Sequence, residues 1–250
     1  MNASIQIEKL SKKYINTDVF AVDNIDLTIK SGEIFGILGP NGAGKTTLIS
    51  MLCGLIKPTS GNIKIAGKPL KTNKKITQQI IGVVPQEYAL YPMLTAFENL
   101  VYFGAMYGLK GKDLKLKINN ALSELGLSKF KNQKVKTFSG GMKRRVNLIA
   151  GILHNPAILY LDEPTVGVDV QSKNVIINHL KELNKRETTI IYTSHHMVEA
   201  QNFCDRVAII DSGRIIALDS PSKLIENTKD AKRLEDVYLN LTGENLRDNV

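Results

Sequence analysis

Cysteine is scarce in this 250-residue chain. The two cysteines, Cys53 and Cys204, are far apart and outside any C-x-x-C spacing, which argues against a disulfide framework and a cysteine zinc site and favours a reducing cytoplasm. No apolar run approaches the roughly 18 residues that a membrane-spanning helix needs. Residues 1–14 also lack the apolar core of a signal peptide. We therefore expect a chain that neither crosses a bilayer by itself nor is secreted.

Acidic residues are outnumbered, because 33 Lys and Arg against 24 Asp and Glu leave a formal charge of +9. The lysines are scattered, in stretches such as 71–75, 110–117 and 129–136. This spread indicates a solvated surface more than a patch for nucleic acid or lipid. With 43% hydrophobic and 23% charged residues, the composition is that of a globular protein with a sizeable core.

The first part of the chain combines two kinds of hydrophobic pattern. Residues 4–8 and 25–29 place apolar side chains at every second position, which predicts a small antiparallel sheet. An apolar strand over 34–38 is followed by a glycine-rich turn and a helical pattern from Lys45 to Cys53. This order predicts a strand, loop and helix unit.

The remainder of the chain is helical first and then mixed. Apolar residues three or four apart dominate from about 95 to 153, which predicts a helical subdomain. Strand and helix patterns alternate over 157–210, and a short strand follows at 214–218. This alternation predicts an α/β fold with a largely parallel sheet. Apolar residues over 234–241 predict an amphipathic helix that packs back on the protein or onto a partner.

The glycine-rich turn satisfies the pattern G-x-x-x-x-G-K-[ST] between a predicted strand and a predicted helix. Its glycines allow backbone N–H groups to converge on the β-phosphate of a nucleotide, and the helix N-terminus adds positive potential. Lys45 is expected to reach β- and γ-phosphate oxygens, and Thr46 to bind Mg²⁺. The residues predicted to contact the nucleotide are Gly39, Pro40, Asn41, Gly42, Ala43, Gly44, Lys45, Thr46 and Thr47.

Two carboxylates, Asp162 and Glu163, end the apolar strand that begins near Ala157. In open α/β sheets the carboxyl ends of the strands face the crevice that holds ligands. Asp162 is therefore the candidate Mg²⁺ partner. Glu163 suits a general base that orients the attacking water, because phosphoryl transfer depends mainly on positioning.

A third candidate site is Ser139, Gly140 and Gly141, immediately before a helical pattern that runs to Ile152. Ser139 can cap this helix, and the exposed N–H groups of its first turn form an anion site. A glycine inside a helix costs about 1 kcal/mol, so two at its start favour close approach of the backbone to another group. An ordinary helix cap is the alternative interpretation.

The order of these motifs resembles the ATP-binding cassette (ABC) family, specifically a nucleotide-binding subunit of an ABC transporter, over nearly the whole chain. The resemblance implies an α/β fold: a P-loop NTPase (RecA-like) core with an N-terminal antiparallel β subdomain and an inserted α-helical subdomain. It also implies ATP and Mg²⁺ as cofactors. Residues 39–46 then resemble the Walker A loop, 158–162 the Walker B strand, Glu163 the catalytic glutamate, and 139–141 the signature motif.

Four further residues fall at family positions. Gln86 resembles the Q-loop glutamine, which contacts Mg²⁺ and the attacking water, and Asp169 the D-loop aspartate. His195 resembles the switch histidine that contacts the γ-phosphate, with His196 as the competing candidate. Tyr14 resembles the aromatic that stacks on adenine, and an ordinary strand-end aromatic is the alternative. The implied catalytic residues are Glu163, His195 and Gln86, and the implied Mg²⁺ ligands are Thr46, Gln86 and Asp162.

The resemblance implies a single cassette. Its nucleotide-binding core would comprise about 1–86 and 154–220, its helical subdomain about 87–153 and a C-terminal helical tail about 221–250. Phe138 and Met142 depart from the leucine and glutamine of the usual signature motif. We expect catalysis to survive this departure, and the variant motif resembles the bacterial exporter branch for drugs, polysaccharides or lipids.

In this family the signature motif of one cassette completes the ATP site of a second cassette. We therefore expect a homo- or heterodimer bound to separate transmembrane permease subunits at the cytoplasmic face of the membrane, with no nucleic acid partner. The first alternative, a soluble ATPase acting on ribosomes or DNA, usually has a second cassette or heptad insertions, which are absent here. The second, a regulatory module without turnover, would lack Glu163 or His195. The third, the ATPase of an importer, is not excluded by size.

Overall fold

The computed structural model describes residues 3–15 and 17–243. Its contacts divide the chain into two compact units. The first unit comprises the chain up to Gln78 and from Thr189 onward, and the second comprises Gln79–Thr188. The boundaries predicted for the core, helical subdomain and tail stay a prediction.

The first unit contains two sets of elements. Its N-terminal elements are β1 (Ala3–Lys13), β2 (Phe20–Lys30), β3 (Ile34–Leu38), α1 (Lys45–Leu52), β4 (Ser60–Ile65), β5 (Lys68–Pro69) and α2 (Leu70–Ile80), which spans the boundary in the chain. Its C-terminal elements are β8 (Thr189–Ser194), α7 (Met197–Phe203), β9 (Arg206–Asp211), β10 (Arg214–Asp219), α8 (Pro221–Glu226) and α9 (Leu234–Thr242).

The antiparallel sheet predicted near the N-terminus is confirmed. Its strand order is β2-β1-β4-β5, and Ile5 of β1 faces Ile29 on one side and Ile65 on the other. The alternate residues of β2, Ile25, Leu27 and Ile29, are buried. Burying one such side chain contributes about 1.5–3 kcal/mol, so the alternating pattern sets which face of the sheet covers the core.

The first unit also contains four strands in the order β10-β9-β3-β8. Strand β3 pairs in parallel with both β8 and β9, whereas β10 returns antiparallel to β9. Every residue of β3 and β8 is buried. Parallel strands that are buried on both faces are rich in apolar residues. Strand β3 is apolar throughout and β8 has an apolar centre over 190–192, which is why these strands could be predicted from sequence.

The second unit contains β6 (Ile81–Val84), α3 (Ala96–Met106), α4 (Gly111–Glu124), α5 (Gly140–Ile152), β7 (Ile158–Asp162) and α6 (Val170–Lys185). Strands β6 and β7 are parallel, with Ile81 opposite Ile158. Helix α3 packs on α4 and α5, which confirms the helical pattern predicted from about 95. Thr95 caps helix α3, and the Thr95 and Glu98 side chains each accept a hydrogen bond from the other residue's N–H.

The amphipathic helix near the C-terminus packs back on the first unit. Leu234, Val237 and Tyr238 of α9 are buried, and α9 contacts α7 and α8. The Tyr238 hydroxyl donates to Asp211 Oδ1 (3.3 Å), and the Leu234 N–H donates to Gln201 Oε1 (3.1 Å). These contacts decide between the two sequence-based alternatives for this helix.

Four elements were not predicted from the sequence. Segment 60–84 contains β4, β5, α2 and β6. Strands β5 and β6 have two and four residues, too few for a period to stand out.

Over the described ranges, no helix is long and apolar enough to cross a membrane.

Candidate active site

The loop between β3 and α1 depends on glycine at two positions. Gly39 and Gly44 have φ angles of 153° and 104°. A Cβ at Gly39 would lie 2.1 Å from the Ile210 carbonyl oxygen, and one at Gly44 would lie 2.1 Å from the Ala21 carbonyl oxygen. Gly42 has φ 80° but open space around it. The first and last glycines are thus required by packing, and the middle one only by its backbone conformation.

The same loop holds a buried cation. Lys45 is 5% exposed, and its Nζ donates to the carbonyl oxygens of Gly39 (2.8 Å) and Pro40 (3.0 Å). Gly44 precedes helix α1 and provides no side-chain cap, and the first turn of the helix has no acidic residue. A buried ammonium beside an uncapped helix N-terminus fits a polyphosphate, because both carry positive potential and N–H donors.

The remaining loop residues differ in exposure. Ala43 is buried, and its backbone accepts a hydrogen bond from the Gly213 N–H (3.0 Å). Asn41 and Thr46 are exposed, and Thr47 is half-buried. The hydroxyl that was predicted to bind Mg²⁺ therefore lies at the surface of this unit.

Tyr14 lies beside the first turn of α1. Its hydroxyl is 3.3 Å from Thr47 Oγ1, and Lys12 Nζ is 5.2 Å from the centre of its ring. The side chain is 43% exposed. The structure thus brings two predicted nucleotide contacts, Tyr14 and Thr47, together. The sequence analysis did not predict a contact between Lys12 and Tyr14. The signal in the sequence is the position of Lys12 in β1, two residues before Tyr14.

His195 and His196 follow β8 directly. His195 is half-buried, whereas His196 is exposed and precedes α7. The turn is fixed by Ser194, whose Oγ accepts a hydrogen bond from the His196 N–H (2.9 Å). The two rings are 4.0 Å apart. The partly buried position of His195 favours it over His196 for a defined role.

In the second unit, Asp162 is the last residue of β7 and Glu163 follows it, and both are buried. Glu163 has φ 48°, a left-handed conformation that costs a non-glycine residue about 1–2 kcal/mol. The Gln86 side chain donates from Nε2 to Glu163 Oε2 (3.3 Å). The structure therefore brings together Gln86 and Glu163, which are 77 positions apart. The left-handed backbone of Glu163 is a local strain of the kind often found at functional sites.

The segment that carries Gln86 is held by side chains of α5 that the sequence analysis did not single out. Asn147 donates to the Pro85 carbonyl oxygen (3.2 Å) and accepts from the Ala89 N–H (3.3 Å). Arg144 donates to the carbonyl oxygens of Pro85 and Gln86. Both side chains are buried. The available signal is that Arg144 and Asn147 lie three apart in α5, on the same face as apolar residues.

Ser139 caps α5, as predicted, by accepting a hydrogen bond from the Met142 N–H (3.3 Å). Asp169 caps α6 in the same way, through Oδ1 and the Ser172 N–H (2.8 Å). Hydrogen bonds from Ser172, backbone first, lower the pKa of Asp169 below its ordinary value. Ser139 and Asp169 are both exposed.

Glycine occupies positions 140 and 141 for different physical reasons. A Cβ at Gly141 would lie 2.3 Å from Ser172 Oγ and 3.0 Å from Asp169 Oδ2. A Cβ at Gly140 would meet nothing closer than 3.5 Å, at the Gly167 carbonyl oxygen. Gly141 therefore permits the close approach of α5 to the start of α6. Packing within the chain does not require Gly140, which leaves ligand contact as its candidate role.

This difference predicts opposite effects of two alanine substitutions. We expect Gly141→Ala to lower the free energy of unfolding by about 1–3 kcal/mol, the usual cost of overpacking. Gly140→Ala should leave it unchanged or raise it by about 0.5–1 kcal/mol, because alanine is the better helix former. Urea unfolding of both variants measures this. Equal losses of stability would contradict the packing argument.

Comparison with known proteins identifies the family. Residues 22–166 match the sequence model of the ABC transporter family. The chain belongs to this family. One relative is the linearmycin resistance ATP-binding protein LnrL of Bacillus subtilis, 47% identical over 88% of this chain and 70% of that protein. Another is the Nod factor export ATP-binding protein I of Burkholderia lata, 39% identical over 90% of this chain and 73% of that protein.

Solved structures of ABC proteins share the fold of this cassette. An ATP-binding subunit of an ABC transporter has a TM-score of 0.86 and 26% identity, covering 95% of this chain and 99% of that one. The protein cbiO1 of Clostridium perfringens, part of the ABC transporter complex cbiONQ, has a TM-score of 0.81 and 29% identity over 91% and 92%. A dimeric cassette in a post-hydrolysis state with ADP and Pi has a TM-score of 0.78 and 28% identity over 86% and 98%.

These comparisons confirm the predicted α/β P-loop NTPase fold. They also confirm that the chain is an ATP-binding, ATP-hydrolysing subunit of the ABC transporter family. The individual roles of the site residues stay predictions.

Proposed function

We propose that this ABC ATPase drives the export of a substrate through separate membrane subunits, by dimerising when it binds ATP. The observation that carries the proposal is the buried Glu163 with its hydrogen bond from Gln86, because hydrolysis requires a positioned base. The names of two relatives, linearmycin resistance and Nod factor export, support export over import or an action on ribosomes.

In the proposed cycle, the loop from Gly39 to Thr47 binds the triphosphate and Tyr14 stacks on the adenine. Lys45 neutralises the phosphate charge that grows as the bond to the γ-phosphate breaks. Glu163 orients the attacking water and accepts its proton. His195 contacts the γ-phosphate. Binding energy becomes a movement of the membrane subunits only through the preference of ATP for the closed dimer.

Mg²⁺ is the proposed metal, with Thr46, Gln86 and Asp162 as its protein ligands. Within residues 3–15 and 17–243, no three His, Cys, Asp or Glu side chains form a metal cluster. That fits Mg²⁺, which is usually held by one or two carboxylates together with phosphates and waters. Hydroxyl, amide and carboxylate oxygens are also ligands it prefers. When bound, it would supply charge neutralisation on the transferring phosphoryl group.

The proposed partners are separate transmembrane permease subunits and a second cassette, which contributes its signature motif to the ATP of this one. These would place the protein at the cytoplasmic face of the membrane. The exposure of Ser139 and Asp169 supports the dimer, because residues that meet a partner's nucleotide must be accessible. No nucleic acid partner is proposed.

Co-expression with a candidate membrane subunit tests this proposal. We expect the chain to be retained with that protein in the detergent-solubilised membrane fraction, and ATP turnover there to rise at least about tenfold over the isolated chain at equal concentration, since the membrane subunits align two cassettes. The Glu163→Gln variant is the control for contaminating ATPases. Turnover confined to the soluble fraction, with co-sedimenting ribosomes or DNA, would overturn the transport proposal.

A further inference from the structure

Beside Asn147, a second side chain of the signature helix α5, Arg144, bonds the backbone at Gln86 itself. Arg144 is 4% exposed, and its Nη1 donates to the Gln86 carbonyl oxygen (2.8 Å) and the Pro85 carbonyl oxygen (3.2 Å). These two bonds hold the peptide units on both sides of the Gln86 Cα. Rotation of this segment would break both of them, so Arg144 restricts the directions in which the Gln86 side chain can extend.

The same guanidinium group also contacts the signature motif through Tyr88. Its central carbon lies 4.8 Å from the centre of the Tyr88 ring, a cation–π distance. The Tyr88 hydroxyl in turn donates to the Gly140 carbonyl oxygen (3.3 Å). Arg144 and Tyr88 therefore connect Gln86, which contacts Glu163, with Gly140, the first residue of α5.

The burial of Arg144 is costly for a purely structural residue. Desolvation lowers the pKa of Arg144, while Tyr88, Glu163 and Asp162 favour its charged form. Its Nε is buried without a hydrogen-bond partner in the described part of the chain. Replacing a buried ionic group by a well-packed apolar one often stabilises a protein. A cation at this place is therefore better explained by its effect on Gln86 and the two carboxylates than by stability.

We propose that Arg144 is a positioning residue for ATP hydrolysis: it fixes the Gln86 segment so that the Gln86 amide holds the Glu163 carboxylate, and through Tyr88 it ties this geometry to Gly140. The inference rests on the proposed roles of Gln86 and Glu163. One chain would thus couple the residues that act on its own nucleotide to the motif that it offers to its partner's nucleotide.

Substitution of Arg144 by methionine, beside Arg145→Met as the matched control, tests this inference in the full chain. Arg145 is the next residue of α5, also donates to two backbone carbonyls, those of Gly141 (3.3 Å) and Leu125 (3.0 Å), and also has its pKa lowered by desolvation. Neither of these hydrogen bonds reaches segment 85–89. We expect Arg144→Met to lower kcat about 10- to 100-fold, in the range that misplacement of a catalytic group produces, and Arg145→Met to lower it by less than about threefold.

The affinity for ATP separates a positioning role from a general loss of structure. We expect both arginine variants to bind ATP within about twofold of the parent chain, because the phosphate loop lies in the other unit. Arg144→Lys, which keeps the charge and N–H donors but not the planar guanidinium group or its reach, should recover part of kcat. Equal kcat losses for Arg144→Met and Arg145→Met would overturn the inference.

A double-mutant cycle with Gln86→Ala distinguishes the inference from the proposed function. If Arg144 acts through Gln86, Arg144→Met should lower kcat by less than about twofold in the Gln86→Ala background, whereas independent effects would multiply. If the two fold-losses of kcat multiply in the double variant, the inference is overturned and the role of Gln86 is left intact. Full turnover of the single variant Gln86→Ala would contradict both the inference on Arg144 and the proposed role of Gln86. If Arg144→Met does not fold, as judged by thermal unfolding, Arg144→Gln takes its place in the same cycle.

Discussion

Replacing Glu163 by glutamine is expected to lower ATP turnover by about 10²- to 10⁴-fold, the usual contribution of a general base, while ATP binding is retained. The substitution keeps the size of the side chain and an oxygen that can accept the hydrogen bond of Gln86 (3.3 Å in the parent chain). It removes only the ability to take a proton from water. Phosphate release and calorimetric ATP titration measure the two quantities.

The matched control for this prediction is Glu87→Gln, which makes the same chemical change one residue after Gln86 at an exposed position. We expect its turnover to stay within about twofold of the parent chain, since surface substitutions rarely disturb the fold. Slow hydrolysis should also allow ATP to accumulate in a closed dimer, visible by size-exclusion chromatography. If Glu163→Gln kept more than a tenth of the parent turnover, another residue would have to act as the base.

Replacing Lys45 by alanine is expected to weaken ATP binding by about 100-fold, because hydrogen bonds to a charged group are worth about 1.5–3 kcal/mol each. Lys45 is buried, and its ammonium group is held by the carbonyl oxygens of Gly39 and Pro40. Loss of a buried charge should leave the thermal unfolding temperature within a few degrees of the parent value. Fluorescence titration with a labelled ATP analogue measures the affinity.

Lys64→Ala is the control for Lys45→Ala, because Lys64 is a lysine of the same unit that bonds Glu8 at the surface (3.0 Å). It tests whether a change of net charge alone weakens nucleotide binding. We expect no more than a twofold change, since exposed ion pairs contribute about 0–1 kcal/mol and act weakly at a distance. An unchanged ATP affinity of Lys45→Ala would contradict the proposed role of the loop.

The sequence was most informative where function depends on residues that are close in the chain. The turn from Gly39 to Thr46 and the cap at Ser139 each lie within eight positions, and their conformations follow from local backbone chemistry. The structure places both as predicted, with Gly44 and Ser139 directly before α1 and α5. Strand β7 could be predicted because a fully buried strand has an uninterrupted apolar run.

Short elements, and the packing of an amphipathic helix face, were harder to predict from the sequence. The two-residue strand β5 and the four-residue strand β6 have too few residues for a period to be seen. The direction in which α9 packs was left open, because an amphipathic face can cover the same chain or a partner. Only the contacts of α9 with α7 and α8 decided it.

The sequence by itself determined which chemical groups this cassette has and where they stand in the chain: the phosphate loop, the two carboxylates at the end of the β7 segment and the capped signature helix. Only the tertiary structure decided which of them meet. The bond between Arg144 and Gln86 spans 58 positions and that between Gln86 and Glu163 spans 77. The clash that excludes alanine at Gly141 arises from Ser172 on another helix. Local patterns report the preferences of neighbouring residues, whereas contacts between distant segments depend on how whole elements pack.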